Sequence, residues 1–468
     1  MRWLVLLFCL VAGSALAQGK ITFTPDQGPV GTRVQARAVG LPANAKLDFV
    51  WASVDANWLI EDTLYKGVKV NEAKRTLTNV VANLNGEATF SFVIPEDFGY
   101  VHNLTLVEGN REVARQGFMV IPELSISPRS GPLGTPITIK LTGLGYRFYD
   151  RGRHLYYDQK YTGWLTAIST KGTATATIRA TGDIGQHLIE LINGPRRGYL
   201  NGEQSPNFIP AIPFSTKAVF TLTRGKVVLP PKIESQSFAR EAASAQPRNS
   251  NDEKTPSLAA NFRSGTVGSL INFTGAGFSR DASVALSYRT VRGNRIAGGG
   301  WEEAEVPLGS YSTDASGQLR MTLPTPDDLE GERVFTARSG EAEAKFSYRI
   351  TPNVAKFGPN PVKPGAPITI KLKGTGWTST GNIYTLLMDN SHMGYACGFN
   401  SRGDITITLN APMQRGWHFI DLYPSIYEGK SDAPTATTSN DHFQLPMLNH
   451  RDHPGEKLPA FHLAFEVK

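Results

Sequence analysis

Hydrophobic and polar residues alternate in short runs along most of this chain. Thr89-Phe90-Ser91-Phe92-Val93, Ala174-Thr175-Ala176-Thr177-Ile178, Leu319-Arg320-Met321-Thr322-Leu323 and Ile405-Thr406-Ile407-Thr408-Leu409 each place apolar residues on one face and Thr, Ser or Arg on the other. That is the period-2 signature of a half-buried β-strand. Past the amino terminus, no stretch carries a long, well-capped helical stripe, so the pattern predicts an all-β protein. Pro/Gly turns punctuate the runs at four similar places: Pro25 to Thr32, Pro128 to Gly145, Ser264 to Gly268 and Pro359 to Gly376. Four openings spaced in this way predict four tandem β-sandwich domains of about 100 residues each.

The chain also repeats itself. Pro128 to Leu191 lies without a gap on Pro359 to Leu422, at an offset of 231 residues, through Gly134, Pro136 to Leu141, Gly143, Gly145, Asp158, Gly163, Gly172, Ala180, Gly185, His187, Ile189 and Leu191. Asn85-Gly86 over Ser316-Gly317 and Pro95 over Pro326 extend the register upstream. The four domains therefore read as a duplicated two-domain unit. The openings Thr142-Gly143-Leu144-Gly145-Tyr146, Thr274-Gly275-Ala276-Gly277-Phe278 and Lys373-Gly374-Thr375-Gly376-Trp377 resemble bacterial immunoglobulin-like domains of the IPT/TIG type, from which Val39-Gly40-Leu41-Pro42 departs. The resemblance implies immunoglobulin-like sandwiches and a role in extracellular adhesion or spacing, and it supplies no catalytic residues.

The expected boundaries are a signal peptide over 1–17, immunoglobulin-like domains over 18–122, 123–227, 260–351 and 352–468, and a linker over 228–259. The linker expectation rests on the Ser, Ala, Glu, Asn and Arg content of Pro230 to Pro256, which offers little to bury. On this reading two tandem pairs sit on a hinge. If both pairs bind one ligand, the tether raises avidity; otherwise the duplication lengthens a spacer.

The first residues, Met1-Arg2-Trp3 followed by an apolar run to Val11 and then Ala15-Leu16-Ala17, have the form of a secretory signal with its cleavage site. Phe8 before Cys9 argues against a lipoprotein box. No later stretch has the roughly 20 apolar residues a membrane helix needs. Beyond the signal only Cys397 remains, so an intrachain disulfide is excluded and stability must come from apolar cores. A net charge of +7 spread over 468 residues argues against nucleic acid as a partner and leaves envelope proteins or polysaccharides as the expected ones.

Hydrolase and phosphate-loop motifs are absent, and no cofactor is expected. Cys397, matched by Thr166 in the other copy, reads as a structural position. His187 and His418 share Gly-x-His-x-Ile-[Asp/Glu]-Leu on a late strand, where an immunoglobulin-like domain often closes a corner by hydrogen bonding; Asp158-Gln159 and Asp389-Asn390 read as turns. Long connections follow that late strand, Asn193 to Thr216 and Tyr423 to Leu458, and long loops often carry function. The first offers Arg196, Arg197 and Tyr199 to a sugar or peptide. A nearby aromatic set, Tyr146, Phe148, Tyr149, Tyr156, Tyr157, Tyr161 and Trp164 beside Arg147, Arg151 and Arg153, could form a stacking platform, with Tyr161 and Trp164 as its candidate contacts. The second loop gathers His442, His450 and His453 near Asp441 and Asp452, residue types that suit a divalent metal, at spacings matching no established motif.

Three functions fit these features. The first is a non-enzymatic envelope or secreted protein for adhesion, scaffolding or glycan and protein binding. The second is a metal-binding or enzymatic accessory built around His392, Cys397, His442, His450 and His453, and the third is a pure spacer.

Overall fold

The alternation read from the sequence becomes strand geometry directly. Pro136–Thr142 buries Ile137, Ile139 and Leu141 and exposes Pro136, Thr138 and Lys140; its duplicate, Pro367–Lys373, buries Ile368, Ile370 and Leu372. Each fully buried aliphatic side chain contributes about 1.5–3 kcal/mol relative to exposure, so three per strand fix which face turns inward. This computed structural model describes residues 19–61, 64–147, 150–193, 217–236, 255–294, 300–426, 444–455 and 457–468. The expected signal peptide, 1–17, lies outside them. Among the described residues there is no α-helix, only strands and three single-turn 3₁₀ segments at Ile233–Ser235, Phe399–Ser401 and His450–Asp452.

The protein is a tandem array of immunoglobulin-like β-sandwiches. In the second, strands Glu123–Ser127, Pro136–Thr142 and Ala174–Arg179 form one sheet. The other runs in the order Ser130–Gly131, Lys217–Leu222, Gly185–Asn193, Gly152–Tyr157, Lys160–Thr166. All pairs are antiparallel except Ser130–Gly131 with Lys217–Leu222, the parallel contact made by a first strand that switches sheets. The third and fourth sandwiches repeat the plan, with the parallel contact between Ser264–Thr266 and Ala342–Thr351 in one and between Val362 and Val467 in the other. In the first, Gly19–Thr24 pairs antiparallel with Arg33–Val39 and parallel with Arg111–Val120, joining what would be two sheets into one of eight strands.

One hydrogen bond recurs in all four. The third residue of each penultimate strand reaches back four positions to a backbone carbonyl and closes the preceding corner. His102 Nε2 pairs with Phe98 O at 2.8 Å, His187 Nε2 with Asp183 O at 2.7 Å and His418 Nε2 with Gln414 O at 2.9 Å, while Arg333 donates to Leu329 O at 2.9 Å. The imidazoles of the duplicated pair are held from the other side by the turn carboxylates expected from the sequence. His418 Nδ1 lies 2.6 Å from Asp389 Oδ2, whose Oδ1 accepts from Phe419 N, and His187 pairs with Asp158 in the same way. Burial alone would lower the His418 pKa, but the Asp389 carboxylate and the Gln414 carbonyl together outweigh it and raise the value. Asp158-Gln159 and Asp389-Asn390 all have positive φ, the form of a tight two-residue hairpin turn.

The chain divides into two compact units. The described residues from Gly19 to Asp55 with Val70–Pro122 form one, around a core that includes Phe23, Phe49, Trp51, Phe92 and Phe118. The described residues of 56–69 and 123–468 form the other. The linker expected over 228–259 is corrected at both of its ends. Val228 N donates to Leu133 O, Ile233 packs on the fourth-domain core, and Gln236 bonds both the N–H and the C=O of His462. Ser257–Ala260 is already the first strand of the third sandwich. Ile233 and Gln236, inside an otherwise polar run, supply the anchoring that the composition of the whole stretch conceals.

Gly317 sits at φ +75°, and a Cβ added there would stand 2.3 Å from Phe278 O. Gly86, its counterpart at φ +72°, would meet Leu41 O at 2.2 Å. Gly317→Ala is expected to destabilise the chain by about 2 kcal/mol or more, from left-handed backbone strain plus the clash, read as a lower urea midpoint. An unchanged midpoint would contradict the geometry.

Candidate functional site

The residues richest in chemistry converge where the second and fourth sandwiches meet. The connection between Gly416–Ser425 and Phe461–Val467 is long because part of it leaves its own domain. Pro446 O accepts from Trp164 N at 2.7 Å, and Leu448 N donates to Trp164 O at 2.9 Å, so Pro446–Leu448 lies as an added parallel strand segment on the edge strand Lys160–Thr166. Asn449 Nδ2 donates to Thr166 O at 2.7 Å. Beyond it, the carboxylate of Asp452, 0% exposed, accepts from Ile168 N, Ser169 N and Ser169 Oγ at 2.8, 2.6 and 2.6 Å. Burial raises the Asp452 pKa, opposed by these donors.

A second row of contacts uses the hairpin turn of the fourth domain. Asn390 Nδ2 donates to Arg179 O at 2.7 Å and Thr181 Oγ1 at 2.9 Å, Thr162 Oγ1 donates to Asn390 O, and Tyr423 OH donates to Thr177 O. Leu387, Tyr423 and Leu448 of the fourth domain belong to the same hydrophobic cluster as Ile139, Leu155 and Phe220 of the second. The two copies share a core. Such a surface cannot be a hinge, so the expectation of two tandem pairs moving on a linker is corrected here.

Beside the shared core lies a buried charged cluster. Asp150, Arg151, Arg153 and His154 are all nearly inaccessible. Desolvation pushes the Asp150 carboxyl up to about 6 against the Arg147 N–H and the charges of Arg153, Arg147 and Arg151. Desolvation likewise lowers the Arg151 pKa, opposed by Tyr65 and Asp150. The Arg151 guanidinium stands 5.9 Å from the Trp58 ring, Trp58 Nε1 donates to Asp452 O at 2.5 Å, and Tyr65 N donates to Ser379 Oγ at 2.9 Å, so Trp58 and Tyr65 close the cluster.

Trp164 is 2% and Tyr161 5% exposed, which corrects the stacking-platform expectation: the first is covered by Pro446–Leu448, and the second packs on His154 and His392. Tyr157 is buried too, while Tyr146 and Tyr156 are half-buried. Arg196, Arg197, Tyr199, Phe148, Tyr149 and His442 lie outside the described residues. His450 is at the surface, its pKa lowered by partial desolvation and by Lys457, whereas His453 is buried. Among the described residues no three of His, Cys, Asp and Glu gather as metal ligands. Cys397 lies on an exposed strand position, and desolvation of its thiol raises the pKa, the opposite of what a nucleophile requires. Sequence reasoning placed Asp452 beside the histidines and Asn390 in a turn without their contacts to the second domain, and it missed Pro446–Leu448; the one available signal was the length of the connection carrying Pro446–Leu448 and Asp452.

No family model matches this chain. An alpha-2-macroglobulin homolog of Nostoc sp. (strain PCC 7120 / SAG 25.82 / UTEX 2576) is 31% identical over 149 residues, a match covering 30% of this chain and 8% of that protein. Among solved structures, Salmonella alpha-2-macroglobulin reacted with methylamine aligns over 94% of this chain and 30% of that one at 10% identity and a TM-score of 0.20. The ICAM-5 D1-D4 ectodomain fragment aligns over 96% and 100% at 13% identity and 0.18, and invasin, a bacterial integrin-binding protein, over 92% and 79% at 10% identity and 0.18. Scores this low carry no argument, and the fold stands on the strand order above.

Replacing Asp452 by Ala strands two buried backbone donors, a loss of about 3–5 kcal/mol. The expected result is a lower thermal midpoint together with red-shifted tryptophan emission as Trp58 and Trp164 gain water. Asp452→Ala with wild-type emission and midpoint would show that the carboxylate does not hold this junction.

Proposed function

We propose that the chain is an exported, non-enzymatic scaffold of the cell envelope or extracellular space, whose immunoglobulin-like domains hold and present surfaces for adhesion or for binding an envelope protein or polysaccharide. The observation that carries this reading is the shared core of the second and fourth domains, locked by Asp452 and Asn390. A duplicated pair that only lengthened a spacer would gain nothing from folding back on its own copy. Locking two copies together instead gives a firm base for loops at the domain ends. The imidazoles that look most like catalysts are engaged in closing corners, His187 and His418 with both ring nitrogens bound. The signal-like first segment and the single mature cysteine support export. The partial identity with a much longer protein supports the view that such modules are reused inside larger assemblies.

The test expresses residues 1–468 in a bacterial host, without a histidine tag. The exported fraction should contain a chain beginning at Gln18, with metal well below about one ion per chain, that retains a defined envelope glycan or protein on a column. A chain kept inside the cell, or one carrying about one tightly bound metal per molecule, would overturn the reading.

A further inference from the structure

The third and fourth domains, like the second, end their larger sheet on an edge strand, and the first ends its single sheet on one. An uncovered edge invites pairing with another chain unless charge or proline blocks it. The edge strand of the first, Leu64–Val81, carries Lys66, Lys69, Glu72, Lys74 and Arg75; that of the third, Gly300–Ser312, carries Glu302, Glu303, Glu305 and Pro307. The second has one charge, Lys160 at its start, and its remaining residues, Tyr161-Thr162-Gly163-Trp164-Leu165-Thr166, are the ones on which Pro446–Leu448 lies. The fourth, Ser391-His392-Met393-Gly394-Tyr395-Ala396-Cys397, carries neither Lys, Arg, Asp, Glu nor Pro, and among the described residues it pairs on one side only.

The duplication makes the comparison position by position. Thr162 and Met393 are the extra residues of equivalent β-bulges, so the bulge does not block pairing. Trp164, whose N–H and C=O hold Pro446 and Leu448, corresponds to Tyr395, and the register pairs them with His154 and Thr385, themselves equivalent. Tyr395 therefore turns the same two backbone groups outward. Around them Met393 is 54% and Tyr395 51% exposed, next to Cys397, while Thr385 and Tyr423 on the same sheet are buried. An apolar ledge thus borders an open backbone edge, beside the surface where the two copies already meet.

We propose that the strand Ser391–Cys397 is a docking site for an extended, uncharged apolar peptide segment of a partner protein, which adds to the sheet at Tyr395 as Pro446–Leu448 adds at Trp164. The occupant's chemistry is given by the segment that fills the duplicate site, Gln444-Leu445-Pro446-Met447-Leu448-Asn449: no charge, apolar side chains to lie on Met393 and Tyr395, and a proline that leaves the pairing N–H of Leu448 free. The proposal deepens the scaffold reading by naming one surface and its partner class, and it rests on that reading.

The experiment uses the full mature chain and a synthetic peptide copying Gln444–Asn449 at about 1 mM, the range expected for a short isolated strand. Hydrogen exchange at the Tyr395 amide should slow about tenfold or more, and iodoacetamide should alkylate Cys397 more slowly. Both effects should vanish for Tyr395→Lys and for a peptide with Asp in place of the residue copied from Met447. No protection by the peptide overturns the proposal and leaves the scaffold reading standing. Protection already present before peptide is added also overturns it, pointing to a second copy if dilution removes it and to the chain's own residues if it does not. Failure of the scaffold reading would appear separately, as stoichiometric metal or retention inside the cell.

Discussion

The arrangement of the duplicated copies depends on a carboxylate with no access to water. Asp452 is held by two backbone N–H groups and a hydroxyl of the Ile168-Ser169 segment. A buried charge is tolerated only when donors surround it, and its removal would leave those donors unpaired. Its geometric demand sets the rest. For Asp452 to reach Ile168, the preceding chain must run along Lys160–Thr166, which places Pro446–Leu448 on the Trp164 edge and Leu448 in the core of the second domain.

Duplication usually suggests equal partners, yet these copies meet through different surfaces. The fourth domain offers its hairpin turn, Asn390, and its late-strand Tyr423, while the second offers the strand bearing Thr177 and Arg179 with the following Thr181. The matching residues elsewhere have diverged: Gln159 stands where Asn390 would be, and Asn410 and Pro412 stand where Arg179 and Thr181 would be. A junction of unlike surfaces could continue from copy to copy into a filament, and divergence of the unused faces removes that route. What stayed alike is internal, namely the His-to-carbonyl corner and the Asp-capped turn, because each sandwich needs them to close its own loops.

How far the sequence foretold this follows from the range of each interaction. Strands such as Pro136–Thr142 and Ile405–Asn410 were legible because burial alternates within a few residues. The repeat at 231 residues was legible because local turn chemistry kept Gly134, Gly143, Asp158 and Gly163 in place. The junction was not, since Asp452 reads as one more surface acid beside histidines until Ile168, 284 residues away, is brought to it. The aromatic set was legible as aromatic but misjudged in exposure: Trp164 is covered by residues distant in sequence, Met447 and Ile426 of the fourth domain with Trp58 and Tyr65. Ile233 and Gln236 were hidden within a polar run because two anchoring residues hardly change its composition.

The second and fourth domains form one body through the Pro446–Asp452 segment. Native-state hydrogen exchange of the Trp164 and Leu448 amides in the complete chain tests it most directly, with the amide of Ile370 in the fourth-domain core as internal reference. Both amides should open only with the cores they join, at a rate close to that of Ile370. Exchange of Trp164 and Leu448 at the rate of a free strand edge, while Ile370 remains protected, would show two domains that merely touch and would contradict it.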